Sequence, residues 1–128
     1  MTDEIRLTLP RERPFYGIAH LVLGGLAVRL DLTFETLEDL QLALENLLSE
    51  TEGDSALTLV IGIEGNALRA SVGPFGEDDV PPVDGFSDGT GESVTLQRVL
   101  EATVDSVHVA ERGDGRWVEL TKSVQRAA

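Results

Sequence analysis

The chain has 128 residues, a formal net charge of −13 and 41% hydrophobic residues, and it contains no cysteine. Its length suits a single domain, and the lack of cysteine excludes disulfides and thiolate metal sites. The negative field disfavours direct contact with nucleic acid phosphates. No apolar run reaches the ~18 residues that a membrane span needs, and the acidic N-terminus lacks a signal-peptide pattern, so we expect a cytoplasmic protein without membrane contact.

The first part of the chain predicts one strand and two helices. Residues 4–9 alternate polar and apolar side chains, which is typical of a strand. Residues 15–30 carry apolar side chains at the three-and-four spacing of a helix with one buried face. Thr33 is a good N-cap for a second helix, which carries a stripe of leucines and should end near Glu50. The turn residues 53–55 then separate this helix from the rest of the chain.

The second part of the chain predicts two hairpins and a short helix between them. Each hairpin has a glycine-containing turn of the length that joins antiparallel strands. The predicted elements are, in chain order, a strand over 56–63, a turn at 64–66, a strand over 67–72, a helix over 93–102, a strand over 104–109, a turn at 113–115 and a strand over 116–122.

A long acidic loop is predicted between the two hairpins, over residues 73–92. This stretch contains three prolines, six acidic residues and no basic residue. Loops of this length are uncommon inside compact domains and are often functional or disordered. The loop is a lid, a partner-binding segment or a disordered segment, and composition does not decide among these.

The element order predicts the fold class. Two short-loop hairpins require a largely antiparallel sheet, and the helices must bury their apolar stripes against it. We therefore predict a single α+β domain over residues 1–128. It is a two-layer sandwich in which three helices cover one face of a mostly antiparallel mixed sheet.

Three stretches of the chain resemble one known family. Residues 37–45, 93–109 and 113–122 are similar to segments of the small bacterial anti-sigma factors that are also serine kinases, within the histidine-kinase-like ATPase superfamily. The resemblance covers nearly the whole chain and implies the histidine-kinase-like ATPase fold. It also implies a homodimer and a protein partner, either a sigma factor or an anti-sigma antagonist.

The resemblance places part of a catalytic motif on the second helix. The family has Glu-x-x-x-Asn there, whose two side chains share one helix face. Glu45 keeps the glutamate, which acts in the family as the general base. Ser49 stands where the family has the asparagine that holds magnesium. Because a serine hydroxyl reaches less far than a carboxamide, the resemblance implies impaired magnesium binding here.

The remaining nucleotide positions match the family less well. Gly73 and Gly76 correspond to the glycines of an Asp-x-Gly-x-Gly motif, but no aspartate precedes them to bind adenine. Gly89 and Gly91 match the lid glycines loosely. Arg116 occupies the place of a threonine near the adenine site. We therefore expect phosphotransfer to be absent and no cofactor to be bound, with ATP and magnesium present only if the site still functions.

Two further features bear on partners and metals. Between residues 31 and 95 the only basic residue is Arg69, which favours a basic protein partner or serves solubility alone. His20 and His108 lack partners at metal-ligand spacing, so no metal site is expected. Trp117 is interpreted as a strand residue packed at the domain edge, or as an interface anchor.

Three functions remain open from the sequence. The leading hypothesis is a non-catalytic regulatory binding module of the anti-sigma type, with lost or impaired ATP binding. The first alternative is an active ATP-dependent serine kinase acting on an anti-anti-sigma partner. The second alternative is a dimerisation subunit of an intact homologue. We lean towards the chain not being an enzyme.

Overall fold

The predicted order of helices and strands is present in the protein. The computed structural model describes residues 4–51, 55–76, 80–81 and 91–124, and their side chains except those of 91–95. The elements are β1 (Glu4–Leu9), α1 (Arg13–Leu30), α2 (Phe34–Ser49), β2 (Leu57–Glu64), β3 (Ala67–Phe75), α3 (Gly91–Thr103), β4 (Ser106–Arg112) and β5 (Gly115–Ser123).

The five strands form one sheet in the order β1-β2-β3-β5-β4. All four neighbouring pairs in the described residues are antiparallel. β2, β3 and β5 are therefore interior strands, and the chain passes through α3 and β4 between β3 and β5. The predicted two-layer α+β sandwich with an antiparallel sheet is confirmed.

The core lies between the sheet and the helices. Alternate strand residues face the helices, as the two-residue period of a strand requires. On β3 and β5 these are Leu68, Ala70, Val72, Val118 and Leu120, each at most 1% exposed. The helices contribute the buried leucines Leu23, Leu26, Leu40, Leu44, Leu47, Leu48, Leu96 and Leu100.

The helix ends follow local chemistry. Thr33 caps α2 as predicted, because its Oγ1 accepts the backbone N–H of Thr36 at 3.2 Å. α1 begins at Arg13, two residues before the predicted start, because Pro14 fits the first turn of a helix. At its other end, Asp31 adopts a left-handed conformation with φ 55°. None of the helices in the described residues is long and apolar enough to span a membrane.

The predicted loop over 73–92 is wrong at both ends. β3 continues to Phe75, and α3 already begins at Gly91. Burial explains the longer strand, because the Phe75 side chain is only 1% exposed and belongs to the core. A register shift between Val72 and Phe75 in the pairing with β5 accommodates Gly73-Pro74. Predictions for residues 77–79 and 82–90 lie outside the described part of the chain.

The start of the second hairpin also differs from the prediction. Val104 was expected to open a strand, but its N–H bonds to the carbonyl oxygen of Leu100 at 2.9 Å and completes the end of α3. β4 therefore begins at Ser106, and it runs on to Arg112 at the turn. β5 differs from its predicted range by one residue at each end.

Candidate functional site

The two predicted motif residues of α2 lie in a groove between α1 and α2. Both Glu45 and Ser49 are exposed, and they line this groove of about 240 Å³ with Arg13, Tyr16 and His20. The Oγ of Ser49 donates a hydrogen bond to the carbonyl oxygen of Glu45 at 2.8 Å. The hydroxyl proton of Ser49 is thus used within its own helix.

Gly73 lies in a different environment, buried inside β3. A Cβ atom added to Gly73 would lie 2.6 Å from Cδ2 and 2.8 Å from Cγ of Trp117. It would also lie 2.9 Å from the carbonyl oxygen of Arg116, which is backbone and has little freedom to move. Glycine is required here because the indole of the chain's own tryptophan packs against the β3 backbone.

Trp117 is buried although it points away from the main core. Val118 belongs to the core beneath the helices, so its neighbour Trp117 projects from the opposite face of the sheet. Its side chain is nevertheless only 3% exposed. The indole Nε1 donates to Oδ1 of Asp114 at 2.8 Å. The guanidinium carbon of Arg112 lies 4.5 Å from the ring centroid, which is a cation–π contact.

Arg112 connects the indole to a polar network on the open face of the sheet. Its Nη2 donates to Oε2 of Glu119 and to Oγ of Ser71, the latter at 3.4 Å. Nε2 of His108 lies 2.7 Å from the other oxygen of Glu119. We call these residues the Trp117 cluster, which comprises Ser71, Gly73, His108, Arg112, Asp114, Trp117 and Glu119.

Glu119 is held in its charged form by this network. Burial alone would raise the pKa of its carboxyl, but the hydrogen bond and the charge of Arg112 outweigh burial, and His108 acts in the same direction. The pKa of Glu119 therefore lies below its ordinary value. A carboxyl whose pKa is lower in the folded chain stabilises the fold above its unfolded pKa, and that contribution is lost as the pH falls through the folded pKa.

We therefore expect Glu119→Gln to lower the free energy of unfolding by about 1 kcal/mol at pH 7. The difference between the two proteins should shrink when urea unfolding is repeated well below about pH 4, because the contribution of the carboxyl is lost only as the pH falls through its lowered pKa in the folded chain. Glu64→Gln is the matched control, since Glu64 pairs with Arg69 at 3.8 Å on the exposed surface. If Glu119→Gln lowers the free energy of unfolding by the same amount at both pH values, this explanation is contradicted.

The predicted residues Gly76 and Arg116 line a second cleft, of about 540 Å³, at one end of the sheet. Nη2 of Arg116 lies 3.2 Å from Oε1 of Glu111, its direct partner across the hairpin. Gly115, with φ 141°, brings β5 against β3, since a Cβ there would lie 2.8 Å from the carbonyl oxygen of Phe75. Among the described residues, none lines both this cleft and the α1–α2 groove.

The predicted nucleotide positions are thus distributed over separate places. Glu45 and Ser49 line the helix groove, whereas Gly76 and Arg116 line the cleft at the sheet end. Gly73 is buried beneath Trp117. Gly91 is the first residue of α3, and Gly89 lies outside the described residues.

The sequence analysis did not predict that the residues of the Trp117 cluster lie together. The signal that could have found part of it is the register of the second hairpin. Counting back from the turn at 113–114 places His108 opposite Glu119 and Glu111 opposite Arg116. The contact of Trp117 with β3 depends on pairing between strands far apart in sequence, which no local pattern shows.

His20, His108 and Trp117 lie on three different elements. His20 lies on α1, where its carbonyl oxygen accepts Nε2 of Gln41 at 3.2 Å, and His108 lies on β4. Within the ranges that the structure describes, no three His, Asp or Glu side chains are grouped as metal ligands. Trp117 is a packed strand residue as predicted, but β5 is an interior strand rather than an edge strand.

Comparison with known proteins relates the chain to one structural class. No protein-family model and no curated protein sequence matches it. Among solved structures, it is similar to the crystal structure of the RsbU and RsbW domains of Rv1364c from Mycobacterium tuberculosis. The TM-score is 0.68 at 16% sequence identity, and the match covers 98% of this chain. The chain spans about a third of that protein, since 34% of it is covered, and the likeness shows a shared fold.

Proposed function

We propose that this chain is a regulatory protein-binding module of the anti-sigma type, which acts through protein contacts and without a bound nucleotide. The observation that carries the proposal is the packing of Trp117 against Gly73. In the family that the sequence resembles, such a glycine lets the backbone approach the nucleotide. Here the indole of Trp117 fills the space beside this glycine.

The free energies involved indicate that the Trp117 indole stays in the space beside Gly73. Moving the indole aside would expose a buried tryptophan and break its hydrogen bond to Asp114 and its contact with Arg112. Truncation of a buried tryptophan costs about 3–5 kcal/mol. A ligand with millimolar affinity gains only about 4 kcal/mol on binding. A nucleotide that had to displace Trp117 would lose about as much free energy as such weak binding provides.

The surface of α2 also favours a protein partner over a triphosphate. From Phe34 to Glu50 this helix and its C-cap carry five acidic residues and no basic one. A triphosphate near Glu45 would therefore meet like charge on α2. A basic surface on a protein would meet opposite charge, which speeds association and selects the partner. A sigma factor or an anti-sigma antagonist with a basic contact surface fits this arrangement.

The proposal is tested with purified sigma factors and anti-sigma antagonists of the native organism, titrated one at a time by calorimetry. We expect one of them to bind with micromolar or tighter affinity, and the affinity to be the same within about twofold with and without ATP and magnesium. Glu38→Lys combined with Glu45→Lys should weaken binding at least tenfold. Glu64→Lys, which makes the same kind of charge reversal on β2, should leave binding unchanged.

Three outcomes would each contradict a different part of the proposal. Failure of every sigma factor and antagonist to bind would contradict the anti-sigma assignment. Binding that requires ATP would contradict the nucleotide-free mode of action and favour the kinase alternative. An unchanged affinity after both reversals on α2 would show that the acidic face of this helix is not the contact surface.

A further inference from the structure

The groove between α1 and α2 combines an apolar floor with a polar rim. The floor consists of buried aliphatic side chains, namely Ala19, Leu23, Leu44 and Leu48. The rim consists of polar side chains, namely Arg13, Tyr16, His20, Gln41, Glu45 and Ser49. The volume of about 240 Å³ lies below the range of about 300–1,000 Å³ that drug-sized ligands occupy. The groove is therefore suited to a single inserted side chain.

The hydroxyl groups of the rim use their protons within the chain. Ser49 Oγ donates to the carbonyl oxygen of Glu45 at 2.8 Å. Thr51 Oγ1 donates to the carbonyl oxygen of Leu48 at 2.8 Å. Because a hydroxyl has a single proton, Tyr16 must be the donor in its 3.4 Å contact with Thr51. Towards the groove, Ser49 and Tyr16 therefore offer lone pairs only.

Glu45 adds negative charge to these lone pairs. A carboxylate accepts hydrogen bonds and donates none, and no ion pair within the described part of the chain includes Glu45. Gln41, one turn before it on α2, donates an Nε2 hydrogen to the carbonyl oxygen of His20 at 3.2 Å, and its Oε1 remains an acceptor. This side of the groove thus offers an anionic set of acceptors, which a cation with several N–H donors would satisfy.

We propose that the groove binds the side chain of an arginine presented by the protein partner of this chain, an inference that rests on the function proposed above. A guanidinium has N–H donors and no acceptor, and its planar fork fits both oxygens of a carboxylate such as Glu45. The donors of an ammonium are fewer and project from one atom, so lysine matches these separate acceptors less well. The aliphatic stem of the arginine lies on the leucines of the floor. Glu45, predicted as a general base, is then the anchor of a bound cation.

Arg13 lines the same groove and carries the same charge as the proposed ligand. It is the first residue of α1, and its side chain is exposed. Like charges repel, so Arg13 must weaken the binding of a second cation in the groove. Removing the charge of Arg13 should therefore strengthen binding, whereas a purely structural role of these residues predicts no such gain.

Propylguanidinium, which reproduces an arginine side chain, tests the groove without any partner. Its binding to the full chain is followed by the backbone amide shifts in ¹⁵N–¹H NMR spectra at constant ionic strength. We expect saturable shifts along the groove in α1 and α2, with a dissociation constant on the order of a few millimolar. Propylurea has a similar shape without the charge and should bind roughly tenfold more weakly.

Three variants show whether the predicted residues hold the probe. Glu45→Gln keeps the size of the side chain but removes its charge, so it should raise the dissociation constant of propylguanidinium roughly fivefold. Arg13→Gln should lower it about twofold. The control Glu64→Gln, on the exposed surface of β2, should leave it within about 1.5-fold. Equal affinities for propylguanidinium and propylurea would overturn the proposal. So would equal losses in Glu45→Gln and Glu64→Gln, or weaker binding in Arg13→Gln.

Competition with the partner identified by calorimetry tests the source of the arginine. Propylguanidinium at about 20 mM should weaken partner binding roughly fivefold. Tetramethylammonium chloride at the same concentration, which has the charge but no N–H donor, should not. Failure of this competition would overturn the inference and leave the proposed function standing. If no sigma factor or antagonist binds, the proposed function is contradicted and the partner's arginine falls with it, whereas the propylguanidinium result stands by itself.

Discussion

Trp117→Ala is expected to lower the free energy of unfolding by about 3–5 kcal/mol, the range observed when a buried tryptophan is truncated. The indole is 3% exposed, and its Nε1 donates to Asp114. The substitution also removes the cation–π contact between the Arg112 guanidinium and the indole ring. Because Trp117 is the chain's only tryptophan, the measurement is urea unfolding followed by circular dichroism rather than by fluorescence.

Trp117→Phe is the matched variant. It keeps an aromatic ring near Gly73 and Arg112 but removes the Nε1–H donor, so its loss should be about 1–3 kcal/mol and smaller than that of Trp117→Ala. A loss below about 1 kcal/mol for Trp117→Ala would contradict the described packing, because surface substitutions usually stay within that range.

Gly73→Ala is expected to lower the free energy of unfolding by about 2–3 kcal/mol, at the upper part of the range for overpacked positions. The new methyl group would meet Trp117 at 2.6 Å and the carbonyl oxygen of Arg116 at 2.9 Å. The second contact is with backbone, so a change of rotamer cannot relieve it. Urea unfolding by circular dichroism again gives the value.

Two further variants test the cause of this loss. Gly113→Ala, at a turn position where a Cβ would have no neighbour within 4 Å, should stay within about 0.5 kcal/mol of the parent chain. In the Trp117→Ala background, Gly73→Ala should cost about 1 kcal/mol less, because one of its two close contacts is gone. Strict additivity of the two changes would argue against contact between these residues.

Most of the fold could be predicted from the sequence because local patterns agree with the packing. The apolar spacing of α1 and α2 marks the faces that they bury, and Thr33 marks the start of α2. The glycine turns fix both hairpins. The sequence failed at β3, where Gly73-Pro74 is locally a loop signal. Burial of Phe75 in the core outweighs that signal, and burial depends on residues from other elements.

Less of the candidate site could be predicted, for a related reason. The resemblance identified Glu45, Ser49, Gly73 and Arg116 as positions along the chain, and it named which of them depart from the family pattern. It did not show that Trp117 packs on Gly73. That contact follows from the register between β3 and β5, which pairs Val72 with Val118 and so brings Gly73 beside Trp117. This register is a property of the assembled sheet.

The chain's own indole fills the open side of Gly73, and we infer that a nucleotide has no room there. Isothermal titration of the chain with ATP and magnesium tests this most directly, with ATP titrated into buffer as the blank. We predict no saturable heat up to about 1 mM ATP, the concentration at which a complex worth about 4 kcal/mol is half formed. One-to-one binding with a micromolar dissociation constant would contradict the account.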